Sequence, residues 1–205
     1  MVAAQAPEQG MPVTAVMITR MITLFWPRFV GMCGIAAALD DTLHFGDVIA
    51  AEQTWDYTTG KLVSDGAGQA QTLPENRAIR TDALIVEQMR RLSQDAVFLS
   101  KLSHGWPAKK PGTELRVRTG PIASGGSVVE QEAARNSIKA RDRKTIGLDM
   151  EAHAVAAACW YSPRPMPHFI VAKGVVDFGV PPKTDEWHAY ASYTSAGLLA
   201  EWARH

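Results

Sequence analysis

The chain has 205 residues, 46% of them apolar and 20% charged, and its 21 basic side chains balance 21 acidic ones. That size suits one soluble domain, and neutrality excludes the basic surplus expected of a binder of nucleic acid or anionic membrane. A small neutral ligand is the default partner. Two cysteines, Cys33 and Cys159, are too few for a disulfide scaffold or a four-thiolate metal site, so reduced thiols and a cytoplasmic location are expected.

Residues 1–12 read as a disordered lead-in, and residues 13–205 as a single domain. No signal peptide is legible, because Met1 to Gly10 lacks Lys and Arg and carries Glu8. The apolar region from Val13 to Leu39 is broken by Arg20, Pro27 and Arg28, short of the ~20 residues of a membrane span.

From Val13, Val16, Met17, Met21, Leu24 and Phe25 recur at helical spacing until Pro27 stops the helix. Phe29 to Cys33 is a continuous apolar run of the kind buried on both faces of a parallel sheet, which predicts a buried, inert Cys33. Asp47 to Trp55 reads as a strand, Tyr57 to Lys61 as a turn, and the polar stretch Leu62 to Arg80 as a long surface loop. A helix begins at the capping pair Thr81-Asp82 and runs through Leu92. Pro107 and Pro111 break the segment Gly105 to Gly112. Leu115 to Thr119 predicts a half-exposed strand that enters the segment Gly120 to Ser127.

A helix over Glu130 to Ala140, a short strand at Thr145 to Leu148 and an Ala-rich helix from Met150 to Tyr161 follow. His168 to Val176 is the strongest strand. The last helix places Trp187, Tyr190, Ala191, Thr194, Leu198 and Trp202 on a core stripe. Strands alternating with helices imply an α/β sandwich.

Three acids stand where such folds place their chemistry, at strand carboxyl ends: Asp149, Glu151 and Asp177. Taken singly, each is explained as well by a helix start or a turn. Gly125-Gly126, flanked by serines, offers either an oxyanion cradle or a plain turn. Asp177-Phe178-Gly179 copies a kinase triplet without the loops a kinase needs. The histidines lack the paired spacing of zinc proteases, so no metal is expected.

Gly31 to Gly34, Phe45 to Ala50, Gly120 to Val129, Gly147 to Ala152, Val171 to Phe178 and the tail Lys183 to Ala191 occur in order. Together they resemble the motifs of the nucleoside phosphorylase superfamily, which includes purine and uridine phosphorylases and the methylthioadenosine/S-adenosylhomocysteine nucleosidases. The resemblance implies a three-layer α/β sandwich with a mixed central sheet. It places Met150 under the ribose, Glu151 on the ribose hydroxyls, and Asp177 at the departing purine, where it hydrogen-bonds and protonates the base. Val128, Val129 and Gly34 fall among the substrate-binding positions, and no cofactor is implied.

Departures from the family pattern are informative. Phe29 and Met32 stand near where phosphorylases hold phosphate with Arg and Ser or Thr, and Val128 replaces an aromatic residue of the nucleosidases. The chain opens in the helix before Phe29 rather than with the family's first strand and loop. The expected activity is cleavage of the N-glycosidic bond of a purine nucleoside or nucleotide, with hydrolysis favoured over phosphorolysis. A catalytically impaired nucleoside sensor and a phosphorylase with a rebuilt phosphate site are the alternatives. The uncovered sheet edge predicts a homo-oligomer.

Overall fold

The computed structural model describes residues 1–64, 70–75, 77–181 and 184–204. Lys183 of the tail motif, and residues 65–69 and 76 of the expected loop, lie outside them. The first helix, α1 (Met11–Phe25), starts two residues before the expected position, with proline in its first turn, and closes on a left-handed Trp26 at φ 46° ahead of Pro27. Gly10, assigned to the lead-in, is held in place by a hydrogen bond described below.

Strands β1 (Phe29–Ala38) and β2 (Val48–Asp56) come next. The stretch expected to be a surface loop contains a hairpin, β3 (Gly60–Ser64) against β4 (Ala70–Pro74), and the short β5 (Ile79–Arg80). Backbone pairing overrides its polar composition, which resembles a loop. Helix α2 (Ala83–Gln94) is capped by the Asp82 carboxylate, which accepts the Leu84 N–H. Asp95 caps a further helix, α3 (Ala96–His104), whose short apolar run the sequence reading passed over.

Strand β6 (Val117–Ser124) runs five residues beyond the Thr119 end of the expected strand. Gly120 to Ser124 is its buried half, lying between β2 and the segment leading to β7 (Gly147–Asp149). Helices α4 (Glu132–Arg141), α5 (Ala152–Trp160) and α6 (His188–Trp202) and strand β8 (His168–Asp177) complete the order.

The central sheet runs β5-β2-β6-β7-β1-β8, and β8 pairs back onto β2, curling the sheet toward closure. It is mixed: β1/β8, β2/β6 and β6/β7 are parallel, while β1/β7, β2/β8 and β2/β5 are antiparallel. Side chains of β8 alternate between two cores. Phe169 and Val171 join Ile18, Ile22, Val155 and Cys159 of α1 and α5. Ile170 and Ala172 join Ile85, Leu99 and Leu198 of α2, α3 and α6. Helices therefore cover both faces, giving the expected three layers.

One close approach sets this geometry. A Cβ on Gly174 would lie 2.1 Å from the Ala191 carbonyl oxygen, so only glycine lets α6 pack this near β8.

β1 pairs with β8 along its length but with β7 only at Ala37 and Ala38. Among the described residues, Phe29 to Ala36 thus has a strand partner on one side alone. This is why Cys33 is exposed, contrary to the buried thiol expected from its apolar run, while Cys159 is buried.

No helix among the described residues is long and apolar enough to cross a membrane.

Candidate active site

The ends of β6 and β7 lie side by side, with Ser124 opposite Asp149. The Asp149 side chain is fully buried and accepts three donors: Ser124 Oγ at 2.6 Å, the Ala152 backbone N–H at 2.9 Å and Lys173 Nζ at 2.8 Å. Ser124 Oγ in turn accepts the His153 N–H at 2.9 Å. The imidazole of His153 meets Thr54 Oγ1 at 3.2 Å. Its pKa is lowered because burial, which disfavours imidazolium, outweighs the pull of Asp56 and Asp149.

Lys173 rises from the middle of β8 opposite Gly34 of β1. A Cβ on Gly34 would sit 3.2 Å from Nζ, so glycine leaves the room that the ammonium occupies. Burial alone would depress the lysine pKa, but Asp149 and Glu151 outweigh it and the net direction is upward. The lysine stays charged between two carboxylates.

Glu151 occupies the turn that starts α5. Its Oε2 faces Lys173 Nζ at 3.3 Å and its Oε1 accepts the Gly10 N–H at 3.1 Å. The N-terminal end of α1 and the middle of β8 thus hold one carboxylate from two sides, and the side chain remains 16% exposed. Met150 lies half-buried between the two acids.

Asp177 ends β8, four residues beyond Lys173 and about 13 Å along the strand at ~3.3 Å per residue. It pairs with Ala37 just after a register shift that leaves one extra residue in β8, the kind of irregularity that re-aims a strand end. Its Oδ1 accepts the Gly179 N–H at 2.7 Å, fixing a turn. Phe178 stacks edge-on against Phe45, with ring centroids 5.1 Å apart. The Val129 carbonyl approaches this turn, lying 3.9 Å from a Cβ built on Gly179.

The six positions assigned from sequence therefore form two groups. Glu151 and Gly34 meet around Lys173, with Met150 adjoining. Asp177 and Val129 share the turn at the end of β8, and Val128 beside them is exposed.

Lys173 and the anchoring role of Asp149 were not read from the sequence. A signal existed: a lysine inside Phe-Ile-Val-Ala-Lys-Gly-Val-Val is almost never buried unless paired.

Among the described residues no cluster of three or more His, Cys, Asp or Glu side chains could hold a metal ion. The arrangement can orient one carboxylate and present a second acid at a distance.

Residues 1–180 match the family described as the phosphorylase superfamily. An uncharacterized protein of Sinorhizobium fredii, y4jS, is 34% identical over 192 residues, covering 94% of this chain and 46% of its own length. ATP nucleosidase Cap17 of Escherichia coli is 26% identical over 194 residues, covering 91% of this chain and 38% of that protein. The chain thus spans less than half the length of these two relatives. A solved 5'-methylthioadenosine/S-adenosylhomocysteine nucleosidase from Neisseria meningitidis, in complex with methylthio-immucillin-A, aligns with a TM-score of 0.73 at 22% identity. That alignment covers 96% of this chain and 78% of the other, and at such identity it establishes the fold.

Proposed function

The chain belongs to the phosphorylase superfamily, and from that premise we propose that it cleaves the N-glycosidic bond of a purine nucleoside or nucleotide by hydrolysis. Asp177 is the general acid at the departing base, and Glu151 holds the ribose hydroxyls with Met150 beneath the sugar. Val128, Val129 and Gly34 border the substrate.

The observation that carries this reading is the Glu151 carboxylate, oriented from two sides in the turn between β7 and α5, together with a second acid at the end of β8. Cleavage leaves the sugar oxocarbenium-like and the base anionic, so a carboxylate by the sugar and an acid by the base stabilise opposite charges. The nucleosidase names of a relative and a structural neighbour agree with that chemistry. Hydrolysis is favoured over phosphorolysis because Lys173 already faces two carboxylates, which repel a phosphate dianion. Phe29 and Met32 of β1 add no anion-binding group.

Asp177→Asn tests the assignment. Its amide keeps the shape but has no proton to give, so base release from adenosine should fall ~10²–10⁴-fold. Turnover within about threefold of wild type, below that catalytic range, would remove Asp177 from the mechanism.

We also propose that the chain works in the cytoplasm as a homo-oligomer, most simply a two-fold dimer. The half-open edge of β1 carries no charge or proline over Phe29 to Ala38, so it lacks the usual protection against pairing. Exposed Leu24, Phe25 and Trp26 at the end of α1 lie in sequence just before it. A monodisperse monomer by light scattering at high micromolar concentration would refute the oligomer.

A further inference from the structure

At the end of β8 opposite Asp177, the close of α1 and the segment leading into β8 enclose a cavity of about 410 Å³, within the ordinary size of a small-molecule site. We propose that this cavity binds a planar aromatic monocarboxylate, its ring lying on Trp26 and its carboxylate meeting Arg28. His168 and Asp177 are the first and last residues of β8, roughly 30 Å apart at ~3.3 Å per residue, so the site is separate from the one proposed for the nucleoside.

The walls suit a flat, apolar guest. Trp26, Met166 and three prolines, Pro163, Pro165 and Pro167, line the cavity. Proline fixes its own backbone φ, so little conformational freedom is lost when a ligand settles against these walls. Trp26 closes α1 in the left-handed conformation, at φ 46° and ψ 52°, where glycine is the usual residue. Among the described residues no other non-glycine has a positive φ. The residue is 66% exposed, so core packing does not explain why a bulky side chain bears that strain. Strained positions of this kind gather at ligand clamps, and an exposed indole beside a cavity offers a stacking face.

Charge selects a single anionic group. Arg28 and His168 both line the cavity, and the Arg28 carbonyl accepts the His168 N–H at 3.0 Å, which ties the starts of β1 and β8 together. The imidazole of His168 already faces the Asp82 carboxylate at 3.2 Å. Among the described residues Arg28 pairs with no carboxylate, and its guanidinium lies 5.1 Å from the centre of the Phe29 ring. One guanidinium is therefore left for a ligand, and its planar fork matches a carboxylate bidentately. The neighbouring Asp82 disfavours the second charge of a phosphate monoester.

Titration calorimetry of the full chain with 2-naphthoate and its neutral isostere 2-naphthamide tests the site. The acid should bind at one site per chain and about tenfold more tightly than the amide, the lower end of the range for one charge-assisted hydrogen bond. Arg28→Gln should reduce that preference below about threefold, less than one such bond. Trp26→Gly should weaken acid and amide alike by about two- to tenfold, the range for one aromatic contact. It should also raise Tm, because glycine relieves the left-handed backbone. Adenosine should leave the titration unchanged.

Absence of saturable 2-naphthoate binding, or equal binding of acid and amide by the wild type, overturns the proposal. Unaltered affinity in Trp26→Gly overturns it as well, since the indole would then be no part of the site. Displacement of 2-naphthoate by adenosine would put the acid in the nucleoside site and have the same consequence.

Discussion

Replacing Lys173 by methionine keeps most of the apolar stem and removes the charge. The side chains of Lys173 and Asp149 are 2% and 0% exposed, so the variant strands Asp149 with two neutral donors and no cation. Breaking a buried pair in this way typically costs ~3–5 kcal/mol. For a domain of this size each kcal/mol lowers Tm by roughly 2–4 °C, so calorimetric unfolding at pH 7 should show a drop of roughly 6–20 °C.

Adding Asp149→Asn should recover part of the loss, since the double change removes the stranded charge. The pH dependence has a definite sign. The pKa of Lys173 in the folded state lies above its ordinary value of 10.5. Its contribution is complete below that value and is lost as pH rises through the higher folded value. The gap between wild type and variant should therefore narrow only in strongly alkaline solution. A Tm within about 2 °C of wild type at pH 7, far below the buried-pair range, would refute the description of this triad.

Two further outcomes are expected. Gly174→Ala would place a methyl 2.1 Å from the Ala191 carbonyl, forcing β8 and α6 apart. Urea unfolding should show a loss of at least ~1–3 kcal/mol, and an unchanged midpoint would contradict the close approach. Iodoacetamide at neutral pH should label the native protein at Cys33 alone. Burial pushes the Cys159 thiol up to about 12 and leaves little thiolate to react, so rapid double labelling of folded protein would contradict the packing of α5.

Local patterns carried much of the fold. The apolar run of β8 announced the strongest strand, and Asp82 announced the start of α2, because both signals are contained within a few residues. What escaped was set at long range. Gly120 to Ser124 carries turn residues, yet β2 on one side and β7 on the other make it strand. Exposure of Cys33 depends on where β7 stops pairing with β1, not on the apolar run around the cysteine.

The candidate site divides similarly. Glu151 and Asp177 were legible as acids at strand ends, and the roles proposed for them rest on the resemblance of ordered motifs. The clamp on Glu151 joins residues 141 positions apart, Gly10 and Glu151, and no local pattern encodes that contact. Lys173 was missed although a charge inside an apolar run is incongruous, and its partners emerged only when β7 and β8 were placed around β1.

The central claim is that water cleaves the glycosidic bond of a purine nucleoside on this chain. It is tested most directly by incubating the purified protein with adenosine in ¹⁸O-labelled water containing inorganic phosphate and analysing the sugar by mass spectrometry. Free adenine with ribose carrying one ¹⁸O at C1′ is the predicted result. Ribose 1-phosphate, or intact adenosine after prolonged incubation, would contradict it.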